Sequence, residues 1–582
     1  MSAGPSLESR RDRLFWGLFV LLSLLNLIPL WSVRIPPMQD AWQHLALVDV
    51  IHQYDAPGSI YPDYFLLPRS PRPNLVYYYL THFLAYLMPS LEVANKVTLS
   101  LYLLAFPGSF LAMLRAFGRS RWLAFFAFPL TYNAFFFYGF LSFLLGIPVL
   151  FAGLAAYRAF IAGSEETRIR SGVLAATAMV LAFFTHAHSY LLLCLLAGLL
   201  WVLHPARPRE RLLRLTPFLP GLVFFVPWFI VFFVQQTPAY SGRAFGSIRE
   251  FFGPKYYSPS EVLSTFYRFV GDHFRDNWDD LLFLAWALIL FVLLIYRRAP
   301  EPRPGRTASV DLEVLTVALA VSVIALPEHI ESQSIVSLRH VFFTVIFFAG
   351  WVGVEHAPRR VAVAAIGALV ILQALTVANL VRGFRAFEQE LDDYPSLFER
   401  AQGGKRLLRI TTNQESPVVA YGAYWHTQFF YTILKGGISD MQFAEYPHNP
   451  IQYRPGMVPP KPPVAFWRSP AWRYFDYLLV RRNCHPDLGK VADRLEQVAE
   501  VREWVLYRIA SEPLPRTEDR DLHPSARRRP VQMEPSSRTP PVPPQLLKPA
   551  PVFRPLSPVQ IRGIPRVLKS LPPIRPPKPA AK

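Results

Sequence analysis

The sequence predicts an α-helical, multi-spanning membrane protein that carries a small external α/β domain near its C-terminus and ends in a disordered, proline-rich tail. Two observations lead to this fold class. Of the 582 residues, 52% are hydrophobic and only 17% are charged, whereas about a quarter of the residues of a soluble protein are charged. The apolar residues are also grouped in blocks of roughly 16 to 24, the length that crosses a bilayer core about 30 Å thick.

Eleven apolar blocks are predicted to cross the membrane, so that residues 1–381 form one transmembrane module. Their approximate limits are Leu14–Trp31, Leu91–Leu114, Trp122–Phe137, Phe140–Ile161, Gly172–Thr185, Tyr190–Leu203, Leu215–Val234, Leu281–Tyr296, Leu312–Leu326, Val341–Val354 and Val361–Val381. A further block, Leu75–Met88, is short and contains four tyrosines. Tyrosines favour the headgroup level, so we assign this block to the membrane interface and do not count it as a span.

Arginines set the predicted orientation. They precede the first span and recur in alternate short loops, for example at Arg119 and Arg121. Basic loops stay in the cytoplasm, so the N-terminus is predicted to be cytoplasmic and everything after Val381 external. The composition, rich in arginine, alanine and proline, is typical of a GC-rich bacterium. We therefore expect a protein of the bacterial inner membrane.

The predicted external parts are a first loop, residues 32–90, further loops at residues 235–280 and 327–340, and a folded domain, residues 382–510. In this domain Tyr474–Val480 and Trp504–Ile509 have the composition of strands, and Leu488–Glu500 is expected to form an amphipathic helix. The two cysteines, Cys194 and Cys484, are too few for a disulfide framework or a cysteine-based zinc site.

The remaining residues, 511–582, are predicted to be a disordered tail. From Pro513 to Lys582 the chain has 14 lysines and arginines against 4 acidic residues, and 19 of its 56 prolines. Such a segment buries too little apolar surface to fold. It is either an unstructured extension or a tether for anionic polymer or lipid headgroups. Because so much of the formal net charge of +19 is located here, no nucleic-acid partner is predicted.

The first external loop contains the candidate catalytic residues, Asp40 and His44. They are four residues apart and would share one face of a helix. A carboxylate with an imidazole one turn away is suited to removing a proton from a hydroxyl group, and it is equally suited to holding a divalent cation. The pattern also has a purely structural explanation, because acids are favoured at helix N-termini by the helix dipole.

In the order of its features, residues 10–380 resemble the GT-C glycosyltransferases, multi-spanning enzymes that take sugars from polyprenyl-phosphate carriers. A basic N-terminus and one span precede a long external loop with an early acidic residue, a proline-containing approach to an interfacial helix, and a polar entrance to the next span. The residues that carry the resemblance are Asp40, Pro73–Leu80, Glu92, Asn95, Lys96, Tyr132–Asn133 and Gly139–Pro148.

The resemblance implies an inverting transfer of a hexose or pentose from a polyprenyl-phosphate-linked sugar to a hydroxyl of a glycan, lipid or protein acceptor. Asp40 would be the general base. Many members of this family have a second acidic residue where this chain has Asn133. The cofactor therefore stays unknown, with a divalent cation neither required nor excluded. Asn133 would either orient an acceptor or satisfy backbone groups at a helix end.

The phosphate that leaves in such a reaction needs cations placed around its charge. Arg339, at the external end of the tenth span, is the best-placed candidate, and Lys96 and Arg34 are alternatives. The alternative role for Arg339 is an interfacial arginine that reaches towards lipid headgroups.

Three further residues face the same compartment. His186 and His188 lie in a tight turn between two spans, where they would contact a pyrophosphate or sugar, or would simply face water. Glu328 is close in sequence to Arg339 and would either pair with it structurally or assist the reaction.

Other chemistries lack their motifs. The sequence has no Walker-type or dinucleotide-binding glycine loop and no His-Glu-x-x-His zinc helix, and it has no Gly-x-Ser-x-Gly elbow. Two other classes of function stay open, a transporter or flippase of a lipid-linked saccharide and a non-catalytic scaffold of the cell envelope. The sequence identifies neither the sugar nor the acceptor.

Overall fold

Long apolar helices form the largest part of the regular secondary structure in the described residues of the computed structural model. The structure describes residues 7–239, 257–258, 260–262, 266, 270–297, 310–328, 330, 335–410, 413–446, 449–461, 470–482 and 488–510. All of them belong to one compact unit, residues 1–527. The predicted tail lies outside the described residues.

The α-helices are numbered in chain order. They are α1 Leu7–Leu25, α2 Ile28–Trp31, α3 Ala41–His52, α4 Tyr61–Tyr64, α5 Leu75–Ala85, α6 Leu91–Ala116, α7 Ala134–Tyr138, α8 Leu141–Ala162, α9 Glu165–Thr185, α10 Ala187–Leu203, α11 Pro208–Leu213, α12 Leu219–Ala239, α13 Trp278–Ile295, α14 Asp311–Ala325, α15 Arg339–Val352, α16 Arg359–Leu391 and α17 Phe429–Lys435.

Seven helical stretches of the described chain are long and apolar enough to cross a bilayer, and α10 and α15 are apolar but shorter. The protein is therefore a multi-pass membrane protein. The count of eleven spans stays a prediction. The interfacial block predicted at Leu75–Met88 is helical as α5.

The predicted span Trp122–Phe137 is not a continuous α-helix. It consists of a 3-10 helix, Arg121–Leu130, followed by a turn and the short α7. Pro129 lacks the backbone N–H that an α-helix needs. Thr131 Oγ1 and Asn133 Nδ2 donate to the carbonyls of Phe128 and Leu130. These local bonds compete with the α-helical pattern and end the helix at this point.

A five-stranded sheet forms the core of the C-terminal region. Its strands are β2 Arg406–Ile410, β3 Ile438–Ser439, β5 Tyr477–Arg481, β6 Leu495–Val501 and β7 Trp504–Ile509, in the order β3-β2-β5-β7-β6. β2 pairs in parallel with β3 and β5, whereas β7 runs antiparallel to β5 and β6. The predicted strand Trp504–Ile509 is confirmed, and the strand predicted at Tyr474–Val480 begins three residues later.

The amphipathic helix predicted at Leu488–Glu500 is wrong. A short 3-10 helix, Gly489–Arg494, leads into strand β6. Along β6 the residues pair with β7, from Leu495 opposite Ile509 to Val501 opposite Trp504. The valines of β6 suit a strand, and the partner strand β7 follows after a two-residue turn; a helical periodicity does not reveal this hairpin pairing.

The first loop and the C-terminal region pack on each other. β1 Phe65–Leu66 pairs antiparallel with β4 Gln452–Tyr453. The rings of Trp42 on α3 and Phe430 on α17 lie 4.2 Å apart. The hydroxyl oxygen of Tyr61 lies 3.3 Å from the carbonyl oxygen of Thr432 on α17. The C-terminal region therefore covers α3, the helix that follows Asp40. The predicted domain boundary at residue 382 stays a prediction.

Candidate active site

Backbone hydrogen bonds hold Asp40 at the start of α3. The amides of Gln39 and Asp40 donate to the carbonyls of Phe137 and Tyr138 over 2.8 and 3.0 Å. The next residue, Gly139, has φ +76°, and a Cβ there would lie only 2.6 Å from the amide nitrogen of Ala41. Only glycine allows this conformation together with this close approach. The position of Asp40 is therefore fixed by the segment 137–139.

Two side chains contact the Asp40 carboxylate in the described part of the protein, and both contact the same oxygen. Gln39 Nε2 donates to Oδ1 over 3.1 Å, and His426 Nε2 lies 3.3 Å from it. Asp40 is 6% exposed. His426 comes from the C-terminal region, just before α17, and it was not predicted from the sequence. No spacing motif connects it to Asp40, because the contact depends on the tertiary packing of α17 against α3.

His44 lies one turn after Asp40, as predicted. Its Nδ1 is 2.6 Å from the hydroxyl of Tyr78 on α5, and its ring packs 5.1 Å from that of Phe443. Burial lowers the pKa of His44 to about 4, against the opposing effect of the Asp40 charge. Burial also lowers the pKa of His426, although the hydrogen bond to Asp40 opposes it. Both imidazoles are therefore neutral at pH 7.

Arg339, at the first position of α15, is buried with 5% exposure. Its guanidinium lies over the rings of Phe140 and Phe143, at 5.1 and 5.0 Å. Its Nη1 is 3.2 Å from His186 Nε2. The structure thus brings the predicted Arg339 and His186 into direct contact. His188 joins the same cluster through its ring, 4.9 Å from that of His340.

Three helix N-termini meet at this cluster, because α8, α10 and α15 begin at Leu141, Ala187 and Arg339. The Oγ atoms of Ser142 and Ser189 and the Nε2 of His188 are buried there without a hydrogen-bond partner among the described residues. Gly146 permits the close packing of α8 on α10, since a Cβ there would lie 2.2 Å from Ser189 Oγ. Helix N-termini with a buried arginine and nearby hydroxyls form an arrangement that suits an anion, and we refer to it as the anion-binding cluster.

The tautomer of His186 supports the same conclusion. Its Nδ1 accepts a hydrogen bond from the backbone N–H of His188 over 3.2 Å. A neutral imidazole has one acceptor nitrogen and one donor nitrogen. Nε2 therefore carries the proton and faces a guanidinium N–H of Arg339. An oxyanion placed beside them could accept from both N–H groups.

A short segment of chain, residues 137–143, links the carboxylate to the anion-binding cluster. Its first part binds the backbone of Gln39 and Asp40, and its last part supplies the two rings beneath Arg339. Within it, the rings of Tyr138 and Phe140 stack with their centroids 5.4 Å apart. Asp40 and Arg339 therefore lie at the same face of the helical bundle.

The alternative cations, Lys96 and Arg34, line a different place. Both border a cavity of about 400 Å³, together with Ser90 and Glu92. Lys96 Nζ donates to the carbonyl of Val33 and lies 5.5 Å from the centre of the Trp31 ring. The backbone amide of Arg34 donates to Glu388. The structure does not bring either residue to the cluster around Arg339.

The remaining predicted residues have structural partners. Asn133 is fully buried; its Oδ1 accepts from the amide of Phe135 and caps α7, and its Nδ2 donates to the hydroxyl of Tyr102 and the carbonyl of Leu130. Glu328 is buried and accepts from the hydroxyl of Tyr257 over 2.7 Å. We do not include these two residues in the proposed site.

One group of acids in the described chain is close enough to share a cation. Oxygen atoms of Asp272, Asp279 and Asp280 lie within 4.8 Å of one another. Asp279 lies in the first turn of α13, and its Oδ2 accepts from the amides of His273 and Phe274. Acids are favoured at a helix N-terminus by the dipole alone, so this group does not by itself identify a metal site.

Comparisons with known proteins place the fold. No family model and no curated protein matches the chain. Among solved structures, the crystal structure of ArnT from Cupriavidus metallidurans bound to undecaprenyl phosphate matches with a TM-score of 0.55 and 16% identity, over 86% of this chain and 99% of that one. The arabinofuranosyltransferase AftD from Mycobacteria matches with a TM-score of 0.48 and 14% identity, over 85% of this chain and 40% of that one, too low to support an inference. The likeness to ArnT confirms the GT-C fold predicted from the sequence.

Proposed function

We propose that the protein is a membrane glycosyltransferase that moves a sugar from a polyprenyl-phosphate carrier to an acceptor hydroxyl. One observation carries the proposal: a buried carboxylate and a buried anion-binding cluster are held at the two ends of the segment 137–143. Displacement of a sugar from a phosphate needs these two groups, a base for the nucleophile and cations for the leaving group. The fold supports a polyprenyl phosphate as the sugar carrier, since the structure of ArnT, which has this fold, contains bound undecaprenyl phosphate.

In this proposal Asp40 is the general base. The hydrogen bonds from Gln39 and His426 both go to Oδ1, so Oδ2 is the oxygen that takes the proton of the acceptor hydroxyl. The deprotonated oxygen attacks the anomeric carbon from the side opposite to the phosphate. The bond from that carbon to the phosphate oxygen breaks, its electron pair stays on the phosphate, and the sugar is transferred with inversion.

Arg339 and His186 would stabilise the leaving phosphate. A polyprenyl phosphate leaves without being protonated, so its developing charge needs donors that are already in place. The guanidinium, the Nε2–H of His186 and the N-termini of α8, α10 and α15 supply them in a site shielded from water, where they act more strongly than in solution. The hydroxyls of Ser142 and Ser189 add two neutral donors.

The basic residues of the short loops support the predicted orientation, with Asp40 and Arg339 on the external side of a bacterial inner membrane. The Arg121 guanidinium, in one of these loops, pairs with Asp12 near the start of α1. In this orientation the Arg121–Asp12 ion pair lies at the cytoplasmic end of the bundle, and Asp40 and Arg339 lie at the external end. The acceptor is a glycan, lipid or protein of the envelope.

The test is transfer by the purified full-length protein from synthetic polyprenyl phosphates that carry a labelled glucosyl, mannosyl or arabinofuranosyl group, with envelope extract as acceptor. We expect release of polyprenyl phosphate by the wild type. Asp40→Asn should lower kcat by about 10²- to 10⁴-fold, the usual contribution of a general base. Asp63→Asn, an exposed acid of the same loop, is the matched control and should keep full activity. Undiminished turnover by Asp40→Asn contradicts the mechanism, and uptake of the lipid without transfer favours a carrier protein.

A further inference from the structure

Five buried polar residues belong to the two segments that hold the Asp40–His426 pair, and several of their atoms have no hydrogen-bond partner among the described residues. The side chains come from α3 and from residues 426–445 of the C-terminal region. The atoms are Gln43 Oε1, His426 Nδ1, Gln428 Oε1 and Nε2, Gln442 Nε2 and Glu445 Oε1. All five residues are more than nine-tenths buried, and Gln43 and Gln428 are completely so.

Four of these side chains share one arrangement, in which one polar atom is bound by the protein and the other is not. Gln43 Nε2 donates to the carbonyl of Met441 over 2.8 Å, and the hydroxyl of Tyr453 donates to Gln442 Oε1 over 3.2 Å. Glu445 Oε2 accepts from Lys461. His426 uses Nε2 towards Asp40. Each side chain is therefore fixed in orientation while its second polar atom is available.

This arrangement is costly for a core that has only to fold. A buried donor or acceptor without a partner loses its hydration and gains nothing in return, so native proteins rarely retain such groups. A leucine would fill the place of Gln428 without that loss. A ligand that supplies the missing partners explains why carboxamides are present here.

The mixture of groups indicates what the ligand is. Gln442 Nε2 is a donor, Gln43 Oε1 and Glu445 Oε1 are acceptors, and Gln428 offers both. A hydroxyl group donates and accepts at once, so vicinal hydroxyls match such a set. The ring of Phe443 lies 5.1 Å from that of His44 and 5.5 Å from that of His426, and it adds an apolar surface for the C–H face of a sugar.

We propose that Gln43, Gln428, Gln442 and Glu445, together with His426 Nδ1, form a subsite that binds the hydroxyls of a glycosyl ring beside Asp40. The C-terminal region would thereby determine which sugar is used. This inference rests on the proposed function and adds to it the residues that select the substrate. The ring belongs either to the lipid-linked donor or to the acceptor.

The test uses Gln428→Leu in the full-length protein in lipid nanodiscs, because both polar atoms of Gln428 lack partners. Gln373→Leu is the matched control: Gln373 is equally buried, but it lies in α16 and donates to Asn26 over 3.1 Å. The probes are bare undecaprenyl phosphate, the same lipid carrying glucose, mannose or arabinofuranose, and the methyl glycosides of these sugars. The measurements are the dissociation constant of each probe and the melting temperature of each variant.

We expect the wild type to bind at least one sugar-bearing lipid more tightly than the bare lipid, which identifies a donor subsite, or to bind a methyl glycoside, which identifies an acceptor subsite. Gln428→Leu should weaken that sugar-dependent binding about tenfold, the effect of one or two hydrogen bonds. It should not change the binding of the bare lipid. The melting temperature should stay the same or rise. Gln373→Leu should not change the preference for sugar.

Two results would overturn the inference. One is a wild type that shows no sugar-dependent binding with any of these probes. The other is a Gln428→Leu protein that melts at a lower temperature and keeps its preference for sugar, which would assign Gln428 a structural role. Failure of the proposed function has a different signature, namely the absence of undecaprenyl phosphate binding by the wild type or undiminished transfer by Asp40→Asn.

Discussion

His426 Nε2 lies 3.3 Å from Asp40 Oδ1 and thereby connects the C-terminal region to the first loop of the transmembrane module. Because burial lowers the pKa of His426, the imidazole is neutral at pH 7 and its Nε2–H donates to the carboxylate. A neutral donor orients the carboxylate without forming an ion pair that would remove its basicity. We regard His426 as a positioning residue for Asp40.

The first prediction concerns this pair. His426→Gln keeps a donor at a similar distance, and His426→Phe removes it. We expect His426→Phe to lower kcat about 10- to 100-fold, since a small misplacement of a catalytic group has an effect of this size. Because His426→Phe also removes Nδ1 from the proposed sugar subsite, KM for the sugar substrate should rise as well, and His426→Gln should restore part of kcat. Steady-state kinetics of the two variants measure the difference.

His44 provides the comparison for that experiment. It lies one helical turn after Asp40, but its Nδ1 is hydrogen bonded to the hydroxyl of Tyr78 and not to Asp40. Tyr78→Phe removes this bond and leaves the Asp40–His426 contact intact. We expect kcat of Tyr78→Phe to stay within about threefold of the wild type, as for the loss of a single hydrogen bond outside the reaction. A larger loss than in His426→Phe would assign the positioning role to His44 instead.

A second prediction separates Arg339 from the other candidate cations. Arg339→Gln should weaken binding of undecaprenyl phosphate about 10- to 100-fold, because hydrogen bonds to a charged group contribute about 1.5–3 kcal/mol. Arg34→Gln and Lys96→Gln alter a different cavity and should have a much smaller effect. Arg382, which pairs with Asp276, is the control for a general loss of positive charge. Binding to protein in nanodiscs at two salt concentrations is the measurement.

The order of features along the chain predicts the fold well. An apolar block of sufficient length specifies a membrane helix by itself, and Asp40 follows the first one at a proline-rich turn. The sequence also places Arg339 and His186 in the same compartment, because spans alternate in direction, but it does not predict their contact. These inferences depend on local composition and on the parity of crossings, which the sequence contains.

Other parts of the site depend on contacts that no local pattern encodes. His426 and Gln428 lie in a segment with no catalytic motif, and only the packing of α17 against α3 brings them to Asp40. Strand β6 forms a hairpin with the next strand, β7, and this pairing overrides the helical pattern of Leu488–Glu500. The segment Trp122–Phe137 is apolar enough for a span, but side-chain bonds from Thr131 to the backbone interrupt the α-helix there.

A third prediction tests the backbone support of Asp40. Gly139→Ala places a Cβ 2.6 Å from the amide nitrogen of Ala41 and 2.9 Å from that of Asp40, at a φ of +76°. Gly58→Ala, in the loop that contains Asp40, is the matched control, because Gly58 has φ +80° and no atom within 4 Å of the added Cβ. Both variants lose about 1 kcal/mol to backbone strain. Only Gly139→Ala also displaces Asp40, so only its kcat should fall strongly while undecaprenyl phosphate binding persists.

The fourth prediction concerns the pH dependence of stability and starts from a buried acid away from the proposed chemistry. Asp49 on α3 accepts from Tyr61 over 2.6 Å, and burial raises the pKa of its carboxyl from 3.8 to about 7. The folded protein thus binds more protons than the unfolded chain between about pH 4 and 7. Linkage then requires that this residue lowers the free energy of unfolding as the pH rises through that range.

Asp49→Asn removes this titration and keeps an oxygen that accepts from Tyr61. The variant should therefore match the wild type near pH 3, below the unfolded pKa, and become more stable than it by on the order of 2–4 kcal/mol at pH 8. His44 acts in the opposite direction, since its lowered pKa reduces stability as the pH falls below 6.5, but it is common to both proteins and cancels in the difference. Asp55→Asn, an exposed acid after the same helix, should show no such difference. The outcome that contradicts this prediction is a difference in melting temperature between Asp49→Asn and wild type that does not change with pH. Asp49 would then be ionised in the folded protein even at low pH.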